Sequence, residues 1–183
     1  MRITRGLMLV GALASCLWAQ QARPQAAAAT EQQLKAVFVF NFSHFVAWPA
    51  ESYATPAEPF VIAVLGGDAI ADQLAEAVRD ERVDTHPLVV LRVRSGEEIP
   101  QCRILFVDRS QGAQLDRILA QLRLRDTLTV SDLEGAAKRG VIIELANEKN
   151  RIKLAINTES ARDAGLTISS NLLRLARITR SGN

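Results

Sequence analysis

The patterned part of the chain opens at Glu31 and runs to Ala47 without a glycine or proline. Leu34, Val37, Phe38, Asn41 and Phe45 follow helical spacing, while Phe38, Phe40 and Phe42 also alternate as in a strand. The length and the Glu-Gln-Gln-Leu-Lys-Ala start predict a helix. Such a helix is apolar around most of its circumference, so it is buried on several sides or covered by a partner. Four of the six phenylalanines fall within eight residues here, and Trp48 and Pro49 follow at once.

After a proline-rich connection, Phe60 to Leu65 is a continuous apolar run that ends in Gly66-Gly67-Asp68. It predicts a buried strand, a tight turn and a helix N-cap. Ile70, Leu74, Ala77 and Val78 then follow helical spacing. Asp80 to His86 reads as a charged loop. Leu88–Val93 and Ile104–Asp108 read as strands, and Leu115, Ile118, Leu119 and Leu122 as the stripe of a second helix. Leu128–Val130 predicts a short strand. Ser131 and Glu134 stand at capping-box spacing before a short helix that Gly140 would end. Val141–Leu145 and Ile152–Ile156 flank the turn-like Asn147-Glu148-Lys149-Asn150, a predicted β-hairpin. Thr158 is placed to cap a short helix stopping at Gly165. A last helix is expected from Ser169, with Arg174, Arg177 and Arg180 three apart.

Apolar strands alternating with helices predict an α/β fold: a mainly parallel sheet of about six strands, flanked by helices on both faces, with a C-terminal β-hairpin and helix. Residues 30–183 form a single domain of ordinary size.

Residues 1–29 read as an export signal. Arg2 and Arg5 form a basic start, Gly6 to Trp18 is apolar, and Gln20 to Ala29 is polar and rich in alanine. Leu13-Ala14-Ser15-Cys16 also matches the pattern at which bacteria lipidate a cysteine. Two outcomes stay open: a lipid anchor on Cys16, or removal of the whole segment. Either way the predicted location is the periplasm. Arg2, Arg5 and Arg23 precede Thr30 and no acidic residue does, so losing the leader turns the formal charge from +2 to −1. That balance argues against nucleic-acid binding through phosphate neutralisation. Of the two cysteines only Cys102 survives in both outcomes, so no internal disulfide is expected, and Cys102 reads as a buried small hydrophobe.

Nothing converges on catalysis. His44 and His86 lie in different elements without ligand-like spacing, so neither a metal site nor a cofactor is expected. Ser43 and His44 are adjacent, and adjacent helical residues do not face each other. Gly66-Gly67-Asp68 reads as a sharp turn more readily than as an anion cradle. Asp108, at the carboxyl end of a strand, is the best single carboxylate. A small-ligand module would use Gly66, Asp68, Asp108 and Ser131 at that edge. A hydrolase using Asp108 or Ser131 lacks a base beside either.

The ordered segments resemble the YfiR-like family of periplasmic proteins. The matching stretches are Lys35-Ala36, Asn41-Phe42, Trp48-Pro49, Ile62 to Gly66, Cys102 to Phe106, Leu128 to Asp132, Gly140 to Ile142, Ile156-Asn157, Ala161-Arg162, Ala164 to Leu166, and Ser169 to Ala176. The resemblance implies a non-enzymatic regulator. Such a protein binds the periplasmic sensor domain of an inner-membrane diguanylate cyclase and holds it inactive, lowering cyclic di-GMP and biofilm formation. It also implies an OmpA-like outer-membrane lipoprotein as a second partner, and a homodimer. The contact residues expected are Phe42, Phe45, Trp48, Pro49, Asp108, Ser131, Leu172 and Arg174. Two departures stand out. Family members commonly carry disulfide-forming cysteines, and Cys102 has no second cysteine in the mature domain. Arg139 also stands where a glycine often precedes Gly140.

Overall fold

The computed structural model describes residues 30–182, apart from 54, 56, 123–125, 149 and 150. The expected leader, Cys16 and the tip of the predicted hairpin lie outside the described residues. In chain order the elements are α1 (Glu31–Phe45), β1 (Val46–Ala47), β2 (Phe60–Leu65), α2 (Asp68–Ala77), β3 (Arg82–Val83), β4 (His86–Val93), β5 (Ile104–Val107), α3 (Leu115–Gln121), β6 (Leu128–Ser131), β7 (Ile143–Glu148), β8 (Arg151–Asn157), α4 (Thr158–Asp163), β9 (Thr167–Ile168), α5 (Ser170–Arg174) and β10 (Ala176–Thr179). Three 3-10 turns occupy Ala50–Ser52, Arg109–Gln114 and Ala136–Arg139.

α1 begins in a capping box. The Thr30 hydroxyl accepts from the Gln33 amide, and the Gln33 side chain accepts from the Thr30 amide. The helix stops where Val46 turns extended, just ahead of Pro49, and β1 pairs with β9 in a small antiparallel ribbon. The main sheet has eight strands in the order β10-β8-β7-β6-β5-β2-β4-β3. The five strands from β4 to β7 are mutually parallel, as continuous apolar runs require. β8 turns back antiparallel on β7, which is the predicted hairpin.

Burial divides β2 by parity. Phe60, Ile62 and Val64 pack beneath α1 and α2, while Ala63 and Leu65 face α3 with Cys102, Leu105 and Val107. Phe42 and Phe60 are fully buried, and each such side chain stabilises by roughly 1.5 to 3 kcal/mol. The α3 side is thinly covered. β4 returns to β5 through residues 94–103, which hold no helix, so Val89 and Leu91 on that side stay half-exposed.

The sequence reading needs four corrections. The sheet has eight strands, not about six, because β3 and β10 were missed. β3 lies inside the expected charged loop, where Asp80 and Asp84 take positive φ and turn the chain back on itself. The last helix ends at Arg174. Ala176 and Ile178 then align with Leu154 and Ile156 on the α1 side of the sheet, so Arg177 sits in a strand instead of a helical stripe. Ser131 caps no helix: it ends β6, its hydroxyl donating to the Val107 carbonyl and accepting from the Leu133 amide. Asn157, not Thr158, caps α4.

Gly67 is the position where glycine is required twice over. Its φ is 68°, and a Cβ there would stand 2.9 Å from Asp108 Oδ2. Gly135 shares the left-handed conformation but has open space around it. Gly135→Ala should cost about 1–2 kcal/mol from backbone strain alone. Gly67→Ala should cost measurably more by urea unfolding, and equal losses would show that the Asp108 contact is slack.

Candidate functional site at the carboxyl edge of the sheet

The carboxyl ends of β5 and β6 deliver Asp108-Arg109 and Asp132 to one edge, and the first turn of α1 lies against them. There Lys35, in the middle of an apolar helix, is completely buried. Its ammonium donates to Asp132 Oδ2 at 2.6 Å and pairs with Glu31 Oε1 at 2.5 Å. Asp132 Oδ2 also accepts from Arg109 Nε at 2.9 Å, and Oδ1 from the Arg109 amide at 2.7 Å. Glu31 accepts from Arg109 Nη2 at 2.9 Å and from Asn147 Nδ2 on β7 at 2.8 Å. Two cations and two carboxylates thus close a neutral network that ties α1 to β5, β6 and β7.

The inner half of this network is dry, since the Lys35 and Asp132 side chains are 0% and 2% exposed. The outer half is wet, with Glu31 and Arg109 at 38% and 54%. The Lys35 hydrogen bond holds the Glu31 carboxyl below its ordinary range, and Asp132 raises the Arg109 guanidinium above its own. Both oxygens of Asp132 are occupied, so the network braces the edge and offers no base to a substrate.

A second polar cluster lies at the opposite, amino end of β5. The buried Arg103 guanidinium pairs with Glu58 at 3.3 Å and Asp126 at 3.1 Å, and sits over the Tyr53 ring at 4.4 Å. Tyr53 stacks on His86, whose Nδ1 is 2.6 Å from the Glu58 carbonyl. Burial raises the Tyr53 hydroxyl above its ordinary pKa. A second buried carboxylate besides Asp132, Glu144, accepts from the Gly135 and Ala137 amides and so fixes the turn before β7. Among the described residues no group of three or more His, Cys, Asp or Glu is placed to hold a metal ion.

The expected contact residues do not form one surface. Phe42, Ser131 and Leu172 are buried and present nothing to a partner. Trp48 lies edge-on to Phe60 with its ring mostly covered, and Pro49 rests near Gly165. Asp108 caps the turn after β5 by accepting from the Ser110 amide. Phe45 and Arg174 are at the surface, Arg174 bonded to Asn171 within its own helix. α1 carries a longer exposed row than expected: Leu34, Val37 and Phe45 are 40%, 48% and 38% exposed. With Asn41 between them they follow one line of the helix.

Sheets of this strand order take ligands where the order reverses, here between the ends of β2 and β5. The chain's own side chains fill that crevice: a Cβ on Gly66 would meet Gln111, and one on Gly67 would meet Asp108. Beside it, over the ends of β2 and β4, is a hollow of about 450 Å³ lined by Gly66, Asp68, Arg92, Arg94 and Glu97. A wider cleft of about 740 Å³ opens between α3 and α4 over Thr127, Thr129 and Ile142. Asp108 and Ser131 line neither.

An open α/β sheet whose edge carboxylates are spent on bracing defines a scaffold with a surface row of apolar side chains. The model of the YfiR/HmsC-like family matches residues 32–177, and the chain belongs to that family. The fold is similar to that of a crystallised conserved domain protein from Vibrio cholerae O1 biovar El Tor, at 11% identity and a TM-score of 0.54. That match covers 82% of this chain and 60% of the other. No curated protein matches the chain.

Sequence reasoning missed the network because it treated Lys35 only as part of a helix start. The available signal was a lone cation on the buried side of an apolar helix, which requires a carboxylate from elsewhere in the chain. Asp132→Ala should cost about 3 kcal/mol in urea unfolding, because it leaves a buried ammonium with one exposed partner. Adding Lys35→Met to Asp132→Leu should recover most of that loss; a double variant as weak as the single one would show that the site does not tolerate an apolar repacking.

Acid should loosen the outer half first. A carboxyl held low in the folded state contributes stability above its unfolded value, 4.5, and loses it as pH falls through the folded value. The exposure of Glu31 limits the effect to about 0.2–1 kcal/mol. Glu31→Gln should therefore flatten the stability profile below pH 4.5 and lower the plateau above it. A profile parallel to wild type would remove Glu31 from the network.

Proposed function

We propose that the protein is a periplasmic repressor of a membrane-anchored diguanylate cyclase, acting by contact with the cyclase's sensor domain. The match to the YfiR/HmsC-like family over residues 32–177 carries this reading. Two features of the molecule support it. The buried carboxylates at the sheet edge and beneath the turn before β7 are bonded into the scaffold, which suits a protein that acts by binding. The exposed row Leu34, Val37 and Phe45 gives an apolar surface on the helix nearest the braced edge. We assign the cyclase contact to that row. An OmpA-like lipoprotein of the outer membrane would be a second partner, competing for the protein by sequestration.

The hollow beside the end of β2 favours a second reading, a small-ligand module of an envelope system. The two separate in cells. In a strain that carries the cyclase, deleting the gene should raise cyclic di-GMP and adhesion. Val37→Asp with Phe45→Asp should raise them equally while the protein stays folded and exported. Deletion without effect sinks the repressor reading; a folded double variant that still represses sinks the α1 contact alone.

A further inference from the structure

β10 is the last strand of the sheet, at the end opposite β3. Five exposed cations gather there: Arg151 and Lys153 on β8, Arg174 at the end of α5, Arg177 on β10 and Arg180 just after it. Arg151 and Lys153 are two apart and share a face. Arg177 aligns with Ala155, the next position along that face, so it stands diagonally from Lys153. Like charges placed this close repel each other. Few carboxylates offset them. Glu148 stands across from Arg151 in register, and Glu31 reaches Asn147 but is held by Lys35 and Arg109. Among the described residues the side chains of Arg151, Lys153, Arg177 and Arg180 make no ion pair or hydrogen bond. By contrast Arg79, Arg92 and Arg139 each hold a carboxylate. On a mature chain whose formal charge is slightly negative, this is positive charge concentrated at one edge.

Apolar side chains interrupt the basic row. Leu175, between Arg174 and Arg177, is 77% exposed, more than any other large apolar side chain among the described residues, and Ile178 is 50% exposed. Neither the hollow beside β2 nor the cleft over β6 is lined by any of these residues. An edge with no concavity suits a flat partner better than an enclosed small anion. We propose that this edge rests on the anionic phospholipid surface of an envelope membrane, its cations on headgroup phosphates and Leu175 entering the interface. A protein partner would need carboxylates matched in position to side chains that are themselves unfixed. A field of mobile phosphates needs no register. Long basic side chains follow such a surface while an apolar neighbour dips beneath it. The chain also enters the domain at this corner, since Glu31 bonds Asn147, whose partner across the hairpin is Ile152. A lipid on Cys16, one of the two outcomes open for the leader, would hold the same corner to the membrane. This inference is independent of the proposed repression.

The mature chain from Thr30 carries the described fold and no lipid, so it separates surface contact from anchoring. It should co-sediment with vesicles of equal parts phosphatidylglycerol and phosphatidylcholine, and not with phosphatidylcholine alone. Raising salt from about 0.1 M to about 1 M should release it, because the screening length falls from about 10 Å to about 3 Å. Lys153→Gln with Arg177→Gln should weaken binding about 25-fold, at about fivefold for each cation lost. Arg79→Gln with Arg82→Gln, equal in charge but at the β3 end of the sheet, should leave it nearly unchanged. Leu175→Trp should emit at shorter wavelength on the anionic vesicles, while emission from Trp48 in the unaltered chain should not move. A chain that ignores the anionic vesicles overturns the proposal. So does equal weakening by the two glutamine pairs, binding with an unshifted new indole, or an edge occupied only by an acidic envelope protein.

Discussion

Burying the Lys35 ammonium is the costliest commitment in this structure, and much of the architecture is arranged around it. An unpaired cation inside a protein is strongly unfavourable, and a buried ion pair is tolerable only when its remaining bonding sites are also filled. Here the filling is complete on the carboxylate side. Asp132 accepts two cations and an amide, and Glu31 shares the load where water begins. The contributing residues come from α1 and from the ends of β5, β6 and β7. Each element is therefore fixed relative to the others by bonds with direction as well as by packing. An apolar helix on an apolar sheet can slide; this one has a defined height over the strands.

The parallel strands could be read from the sequence because continuous apolar runs between helical patterns have few alternatives. FVIAVL and ILFV became β2 and β5 nearly as their letters suggest. The pieces that resisted reading were short or were decided by distant partners. β10 carries an arginine spacing that imitates a helix, and only its alignment with β8 makes it a strand. Ser131 has the right neighbour for a capping box, but the Val107 carbonyl claims its hydroxyl first. Lys35 looked like an ordinary helix residue because its counter-charge stands 97 positions away. Local rules cannot see such a bond, and the candidate site consists mostly of them.

The two faces of the sheet have been treated unequally. α1 and α2 seal one face, while the other has α3 and a helix-free crossover. The sealed side explains why a phenylalanine-rich helix can be both core and surface: Phe42 fills the interior while Phe45, three residues on, faces solvent. The thin side leaves the wide cleft over β6 and the exposed valine and leucine of β4. Membership of the YfiR/HmsC-like family is thus expressed as an α/β frame with one sealed and one thinly covered face.

The sequence distance between Lys35 and Asp132 also has a kinetic meaning. A chain delivered N-terminus first presents α1 long before residue 132 emerges, so the helix cannot settle onto its final seat early. Contacts of such long separation slow the search for the native state, and parallel pairings add to the delay. Premature compaction is thereby discouraged until β6 and β7 arrive, and their Asp132 and Asn147 act as the latch.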